Sequence, residues 1–445
     1  MATRIVVIGG GAAGIGAAGA ARATDRDADV RVFTEFEDVG YSPCGIPYVH
    51  GREIDSFERL FLADKQTYID AGIDIAYQTR VNSVDLDGRV VQVEGAGPVP
   101  FDRLVVATGF QYEQLDVPGS DLGGLYHVKN IRQAMEWDKV LDNAKSVVIV
   151  EATPLGLEMA TTLAHRGGLD VHVVDPNPWL LADVADPDIM QPVEESLTEM
   201  GVTLHLRTTL QEFTGDGTLR SVKTSAGEIP ADVAVICTHK RPNNRLAAEA
   251  GIKLGSTGGI IGTARMETSA EGVYAAGDCI ELPHEVTRVP VVALTGSHAY
   301  SQGKVAGTNA AGGYREYNPV YVPWGMVAGK WMIGGASTGE TLASALGMPY
   351  VMGVAEGISR ARYYPDVKKI RVKLLFDPDS LQLVGAQMVG GEGIKERADF
   401  LGLAIKRGVT ADDLAWMENV YSPPIGALAE PIASAAQNCL SQLGR

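Results

Sequence analysis

The sequence contains few cysteines, no long apolar run and no excess of positive charge. Its four cysteines, Cys44, Cys237, Cys279 and Cys439, form no C-x-x-C pair, which excludes a disulfide framework and a zinc knuckle of the usual spacing. No apolar run is long enough to span a bilayer. The first predicted strand begins at about Arg4, which leaves no room for a signal peptide, so we expect a cytoplasmic protein.

The overall charge and length restrict the class of protein further. A formal net charge of −17 argues against nucleic acids or anionic membranes as partners. A chain of 445 residues is too long for one compact core, so we expect two or three domains. The hydrophobic content of 45% is that of an ordinary globular protein.

A glycine-rich turn follows the first predicted strand. Residues 4–8 (RIVVI) predict a buried strand, and an Ala-rich helix and a second strand follow. Between strand and helix, Gly9, Gly11 and Gly14 have the spacing G-x-G-x-x-G. The first glycine of this pattern makes a tight turn, the second lets the backbone approach a pyrophosphate, and the third lets helix and strand pack closely. The helix N-terminus then offers amides to the phosphates.

Other segments extend this nucleotide-binding pattern. An acidic residue should follow about twenty residues later to hold the ribose hydroxyls, and Glu35 is the candidate, with Thr34 the second choice. A second β-α-β pattern begins at Ser146, with a helix from about Pro154. From about Tyr317, alternating strands and two helices predict a smaller α+β domain.

Four signals in this order resemble the flavoprotein disulfide reductases with two dinucleotide domains. They are the N-terminal fingerprint, LVVATG (104–109), the second β-α-β pattern and YAAGD (274–278). The resemblance implies an α/β fold with two Rossmann-like domains and a C-terminal α+β dimerisation domain. Its implied boundaries are an FAD domain at 1–118 and 248–316, an inserted NAD(P)H-type domain at 119–247, and a dimerisation domain at 317–445.

The resemblance also implies site residues and a partner. Ala107, Thr108 and Gly109 would close the first half of the FAD domain. Gly277 and Asp278 would approach the flavin. A two-fold homodimer is expected, because the family's active site is completed by the neighbouring subunit.

The segment SPCGIPY (42–48) resembles the single-cysteine branch of these reductases. That branch contains coenzyme A disulfide reductases, NADH oxidases and peroxidases, and NAD(P)H-dependent persulfide or polysulfide reductases. RYYPD (362–366) and ENVYSPPIG (418–426) strengthen the resemblance to the coenzyme A disulfide reductases. On this basis Tyr364 and Tyr421, with Tyr363 a close competitor, are candidate phenol donors that reach the partner subunit's active site.

A single thiol beside a flavin supports two kinds of chemistry. If coenzyme A supplies the second sulfur, Cys44 forms a mixed disulfide that reduction splits again. If peroxide or oxygen is the acceptor, Cys44 cycles through a sulfenic acid. Both cycles need a thiolate of low pKa. The alternative is that Cys44 is an inert, buried thiol with no role in catalysis.

The second β-α-β turn departs from the fingerprint. In SVVIVEATPLG the first two glycine positions hold Glu151 and Thr153, and His239 stands where the family has glycine in A-T-G-x-R-P-N. A carboxylate in the turn repels a pyrophosphate. Thr153 suits a helix N-cap and Pro154 the first helical position, so the helix itself should form.

Three residues of the second β-α-β segment still match the dinucleotide-binding pattern. They are Gly156, Glu158 and Asp175. Asp175 favours an unphosphorylated ribose, so NADH is more favoured than NADPH, although a simple turn Asp before proline explains it equally well.

Three functions follow from these features. The first is a flavin-dependent reductase of coenzyme A disulfide, or of a related disulfide or persulfide, acting through Cys44. The second is an NADH oxidase or peroxidase with a cysteine sulfenic acid. The third is an FAD and thiol protein with a donor other than a nicotinamide, such as a ferredoxin-like protein.

Overall fold

The computed structural model describes residues 2–292, 295–317 and 320–445. The described chain forms two compact units, each built from three segments. The first unit contains the described residues of Met1–Ser42, Glu58–Glu113 and His239–Val320. The second contains Pro43–Phe57, Gln114–Thr238 and Tyr321–Arg445. Within the described residues, no helix has the length and apolar character needed to cross a membrane.

A five-stranded parallel sheet forms the centre of the first unit. Its strands, in spatial order, are Val273–Ala275, Arg103–Val106, Arg4–Ile8, Asp29–Phe33 and Asp74–Ala76. The first strand of the chain is therefore central, and the order reverses beside it, where open α/β sheets bind ligands at the carboxyl ends of their strands. Arg4–Ile8 is buried apart from its first residue, as expected for a strand covered on both faces.

Two helices of this unit pack with their backbones in contact. They are Ala12–Thr24, which follows the first strand, and Gly296–Ala310. A Cβ on Gly303 would lie 2.1 Å from the carbonyl oxygen of Ala13, and one on Gly307 would lie 2.0 Å from that of Ala17. Because these glycines are four residues apart, they lie on one helix face and allow this close contact.

Smaller elements complete the first unit. Two three-stranded sheets and one two-stranded ribbon accompany two short helices. The sheets are Val81–Asp85, Val90–Val93 and Gly97–Pro100, and Ile260–Ile261, Ile280–Pro283 and Pro290–Val291; the ribbon is Phe110–Tyr112 and Lys240–Pro242; the helices are Lys65–Asp70 and Arg245–Glu249.

The second unit repeats the same parallel arrangement. Its strands, in spatial order, are Thr203–His205, Asp170–Val174, Ser146–Val150, Val233–Ile236 and Leu125–Tyr126. The other elements of this part are the helices Ile46–His50, Ile131–Leu141, Pro154–Arg166 and Pro187–Glu199, and the antiparallel strands Leu210–Asp216, Thr218–Thr224 and Gly227–Pro230.

The second unit also contains a five-stranded antiparallel sheet from the C-terminal part of the chain. In spatial order its strands are Trp324–Ala328, Trp331–Ser337, Leu383–Gly390, Lys369–Phe376 and Val351–Ile358. The accompanying helices are Glu340–Ala345, Ile394–Lys406, Ala411–Ala415 and Pro431–Gln442. The predicted α/β fold class, with two Rossmann-like sheets and a C-terminal α+β part, is confirmed.

Candidate active site

The first glycine turn, residues 9–14, needs glycine at two positions for packing. Gly9 has φ of 114°, and a Cβ there would lie 2.1 Å from the carbonyl oxygen of Ala107. A Cβ on Gly14 would lie 1.8 Å from the carbonyl oxygen of Gly9. No larger side chain fits either position without displacing backbone.

Gly11 is different, because no described atom lies within 4 Å of the place where its Cβ would stand. It is the N-cap of the helix Ala12–Thr24, with extended backbone and no side-chain cap. The helix N-terminus therefore faces open space with its first amides available, which is the arrangement that holds a pyrophosphate. The residues present fit the FAD that the sequence predicts.

The candidate ribose acid lies at the carboxyl end of the next strand. The Glu35 side chain is 45% exposed and lies 3.3 Å from Arg80. Thr34 is buried, at 3% exposure, and its hydroxyl accepts a hydrogen bond from the amide of Phe36 at 3.3 Å. Glu35 is thus the more accessible of the two candidates.

The A-T-G segment lies beyond the same edge of the sheet. The Thr108 hydroxyl donates to the carbonyl of Asn243 at 2.6 Å, and the Asn243 amide donates to the carbonyl of Gly109 at 2.9 Å. Ala107 is tied to the central strand, because its amide donates to the carbonyl of Ile8 at 2.8 Å. These bonds fix the backbone at the edge where a dinucleotide binds.

The A-G-D segment follows the neighbouring strand, Val273–Ala275. Gly277 has φ of 84°, and its amide donates to the side-chain oxygen of Gln302 at 2.9 Å. Asp278 is half-buried. The structure therefore brings the A-T-G and A-G-D segments to the carboxyl edge of the first parallel sheet.

The second glycine turn, residues 151–156, has the same backbone hydrogen bonds as the first. The Glu151 amide donates to the carbonyl of Val174 at 2.9 Å, as the Gly9 amide does to that of Phe33. A Cβ on Gly156 would lie 2.1 Å from the carbonyl oxygen of Glu151. Glu151 adopts φ of 72°, a left-handed conformation that is strained for any residue with a side chain.

Side chains of the protein accept hydrogen bonds from the backbone amides of the second turn. The Thr153 hydroxyl accepts from the amide of Gly156 at 3.3 Å and donates to the carbonyl of Cys237 at 2.8 Å. Asp175 is buried, and its carboxylate accepts from the amides of Ala152 and Asn177, both at 2.7 Å. The helix Pro154–Arg166 is capped by the chain itself, whereas the first helix is not.

A pocket lies at the carboxyl edge of the second parallel sheet, with an empty volume of about 510 Å³. Most of its lining is apolar, two residues carry hydroxyls, and one carries a carboxylate. The lining residues are Leu115, Val117, Val150, Glu151, Val174, Pro176, Thr208, Thr209 and Leu210. A pocket in this position is where a Rossmann-type domain holds the adenosine of a dinucleotide.

Cys44 is the one exposed cysteine of the four; the other three are buried. It lies in a short 3-10 turn, Pro43–Gly45, that leads into the helix Ile46–His50. Four residues later, Tyr48 has its pKa raised to about 12 by burial and by the negative charges of Glu158, Glu53 and Cys44. Cys44 and Glu158, the acid of the helix that follows the second turn, therefore both lie close enough to Tyr48 to influence its pKa.

A buried histidine network, which the sequence did not reveal, anchors the helix that follows Cys44. His50 is fully buried, and its Nδ1 lies 2.9 Å from the carboxylate of Asp138. The Arg166 guanidinium donates to the carbonyl of His50 at 2.8 Å and to Asp138 at 3.2 Å. Burial raises the pKa of Asp138, but the bonds to His50 and Arg52 outweigh it and lower that pKa to about 2.

Two of the three candidate tyrosines are hydrogen-bonded to each other. The hydroxyls of Tyr363 and Tyr421 lie 2.8 Å apart, and this bond raises the pKa of Tyr421. Tyr364 instead lies beside Arg360, whose guanidinium carbon is 5.7 Å from the ring centre. All three tyrosines are exposed.

His239, the other departure from the family pattern, is exposed. Its carbonyl accepts from the amide of Glu113 at 2.9 Å, which joins the ribbon strands Phe110–Tyr112 and Lys240–Pro242 one residue further. The turn therefore forms with a histidine where the family has glycine.

Family models match nearly the whole chain. The model described as pyridine nucleotide-disulphide oxidoreductase matches residues 3–303. The model of the dimerisation domain of the same family matches residues 330–431.

Similar proteins carry names of more than one activity. An "NADH oxidase" of Methanocaldococcus jannaschii is 35% identical over 447 residues, 99% of each chain. An "NAD(P)H sulfur oxidoreductase (CoA-dependent)" of Pyrococcus abyssi is 32% identical, over 97% of each chain. Among solved structures, an NAD-dependent persulfide reductase from A. fulgidus has a TM-score of 0.96 at 30% identity, and the match covers 99% of this chain and 84% of that one.

Proposed function

The chain belongs to the pyridine nucleotide-disulphide oxidoreductases, and on this premise we propose that it reduces coenzyme A disulfide, or a related disulfide or persulfide, through Cys44. The observation that carries the proposal is the exposure of Cys44 alone among the four cysteines. With no second accessible thiol among the described residues, the substrate itself must supply the second sulfur. The CoA-dependent name of the Pyrococcus relative agrees with coenzyme A as the source of that sulfur.

The sulfur chemistry balances with one protein thiol. The Cys44 thiolate attacks one sulfur of a disulfide RSSR, forms a mixed disulfide and releases RS⁻. Two electrons and one proton then split the mixed disulfide into the Cys44 thiolate and RSH. FAD, when bound at the first glycine turn, supplies the two-electron transfer from NAD(P)H to sulfur. Gly9, Gly11 and Gly14 would hold its pyrophosphate, and Glu35 would hold its ribose.

The Tyr421 hydroxyl is proposed to protonate or hydrogen-bond the leaving thiolate. It would act in the partner subunit of a homodimer, for which the matched dimerisation domain and the exposed tyrosine pair are the support. A cytoplasmic location and the four domain boundaries given above stay predictions from the sequence.

NADH is the proposed donor in preference to NADPH. Of the nine residues that line the pocket on the second sheet, none is basic, so a ribose phosphate would find no cation there. Asp175, the acid that the sequence suggested for the ribose, is buried, and both its carboxylate oxygens accept hydrogen bonds from backbone amides.

A second candidate is an NADH oxidase or peroxidase, which the name of the Methanocaldococcus relative favours. In that case Cys44 alternates between thiolate and sulfenic acid. Two observations would favour this candidate. One is labelling of Cys44, after peroxide treatment, by a probe that reacts with sulfenic acids and not with thiols; the other is oxygen-dependent loss of NADH without added disulfide.

The test of the first candidate compares Cys44→Ser with Cys439→Ser, which removes a buried thiol. We expect Cys44→Ser to lose NADH-dependent reduction of coenzyme A disulfide by about 1000-fold or more, since no other group can form the mixed disulfide. FAD absorbance per chain should be unchanged in both variants, and Cys439→Ser should retain turnover. Retained turnover in Cys44→Ser would reject the mechanism.

A further inference from the structure

We propose that Glu151 is a specificity-determining residue that keeps phosphate groups away from the second glycine turn, so that a dinucleotide is held there through its adenosine. The inference rests on the proposed function for the identity of the ligand, an NADH-type dinucleotide. Glu151 and Gly9 occupy the same position in the two glycine turns and have the same backbone hydrogen bond, but only Glu151 carries a charge.

Glu151 stands at the first position of the second turn, and its side chain borders the pocket at the carboxyl edge of the second sheet. Its backbone has the amide hydrogen bond and the positive φ that Gly9 has in the first turn. The first turn has no side chain at this position, because a Cβ on Gly9 would lie 2.1 Å from the carbonyl oxygen of Ala107, and its helix has no side-chain cap. In the second turn a carboxylate borders the pocket. A side chain kept in a left-handed conformation costs stability, and the fold does not need it, because glycine is the residue that such a turn favours.

The amides that would bind a pyrophosphate are already engaged. Asp175 accepts the amide of Ala152, and Thr153 accepts the amide of Gly156. A pyrophosphate at this helix end would have to displace two side chains and would meet the charge of Glu151. Phosphate binding at a helix N-terminus depends on accessible amides, so the dinucleotide's pyrophosphate is expected to lie away from the helix.

The pocket beside Glu151 suits the uncharged end of the ligand. Leu115, Val117 and Leu210 give it apolar walls, and Thr208 and Thr209 add hydroxyls. Apolar walls with few polar groups match an adenine ring and its ribose. A carboxylate in such a pocket repels the additional ribose phosphate of NADPH. This gives NADH an advantage over NADPH.

The test measures binding of NADH and NADPH to the FAD-loaded protein by calorimetry, at low and at high salt. Glu151→Gln removes the charge and keeps the size of the side chain, and Glu151→Gly also relieves the strained backbone. Glu199→Gln is the matched control, because Glu199 is an exposed acid of the same unit, paired with Lys330, that does not line the pocket.

At about 6 Å in a largely solvated pocket, repulsion between the Glu151 carboxylate and the nearest phosphate charge should cost about threefold to tenfold in affinity. We therefore expect Glu151→Gln to bind NADH about threefold to tenfold more tightly and to gain still more for NADPH. Wild type should bind NADH more tightly as salt rises, because salt screens the repulsion, and Glu151→Gln should lose that dependence. Glu199→Gln should behave as wild type does.

Unchanged or weaker NADH binding in both Glu151 variants would overturn the inference. If wild type is reduced by NADH and the variants bind as wild type does, the inference fails while the proposed function stands. If the variants bind dinucleotides more tightly but neither nicotinamide bleaches the flavin in any protein, the inference stands and the proposed donor is wrong.

Discussion

Replacing Gly11 with alanine should weaken FAD binding while leaving the protein folded. No described atom lies within 4 Å of the new Cβ, and the backbone there is extended, at φ −77° and ψ −173°. Alanine restricts the unfolded chain, which adds about 0.4–1 kcal/mol of stability, but it is a poorer N-cap than glycine by a similar amount. These opposing contributions should leave the free energy of unfolding within about 1 kcal/mol of wild type.

If FAD binds at the first glycine turn as proposed, the same methyl group would stand where its pyrophosphate approaches the helix. Losing one hydrogen bond to a charged group costs about 1.5–3 kcal/mol, so we expect FAD affinity to fall by roughly 10- to 100-fold. The assay is a titration of the FAD-depleted protein with FAD, followed by the change in flavin fluorescence. Urea unfolding of the FAD-depleted protein reports the stability of the fold separately.

Gly14→Ala is the comparison, because its Cβ would lie 1.8 Å from the carbonyl oxygen of Gly9. This variant should lose stability and FAD together, since overpacking typically costs about 1–3 kcal/mol and here the obstacle is backbone. If Gly11→Ala binds FAD with wild-type affinity, the first turn is not the pyrophosphate site.

Three further predictions concern the second unit and the buried histidines. Tyr421→Phe, which removes the hydroxyl bonded to Tyr363, should lower kcat for disulfide reduction by about 10- to 100-fold at unchanged FAD content; an equal loss in Tyr364→Phe alone would contradict this choice of tyrosine. Lys373→Met leaves the buried carboxylate of Asp186 without its cation at 3.1 Å, so urea unfolding should show a loss of about 3–5 kcal/mol; a change below 1 kcal/mol would refute it. Burial or partial burial lowers the pKa of four histidines, so between pH 6.5 and 5 the unfolded chain binds more protons than the folded one, and the free energy of unfolding should fall as pH falls; a melting temperature that stays constant from pH 7 to pH 5 would refute this. The four are His50, His172, His205 and His298.

The sequence predicted the glycine turns well because their determinants are local. The spacing of Gly9, Gly11 and Gly14 after an apolar strand implies the turn directly, and Thr153 with Pro154 predicted the helix start that the structure shows. Local preferences also explain why losing two glycines does not prevent the second helix from forming. Capping by Thr153 supplies part of what the fold requires there.

The sequence could not predict the interactions that link distant segments. His50 meets Asp138 across 88 positions and Arg166 across 116 positions, and no periodicity or motif marks such a pair. The sequence could not show which of Tyr363 and Tyr364 lies next to Tyr421, for a related reason. The two are adjacent in the chain, and only the conformation of the turn decides which hydroxyl reaches Tyr421.

The two turns together separate the needs of the fold from those of the ligand. Both retain glycine at the third position, Gly14 and Gly156, where a Cβ would lie 1.8 Å and 2.1 Å from a carbonyl oxygen of the turn. Gly156 therefore follows from helix packing and would be retained with or without a nucleotide. The first position also answers to packing in the first turn, where a Cβ on Gly9 would lie 2.1 Å from the carbonyl oxygen of Ala107, although Glu151 shows that this backbone can form with a side chain, at the cost of strain. The second position is consequently the better indicator of the ligand, because a Cβ on Gly11 would meet no neighbouring segment within 4 Å, and in the second turn Thr153 stands there and caps the helix.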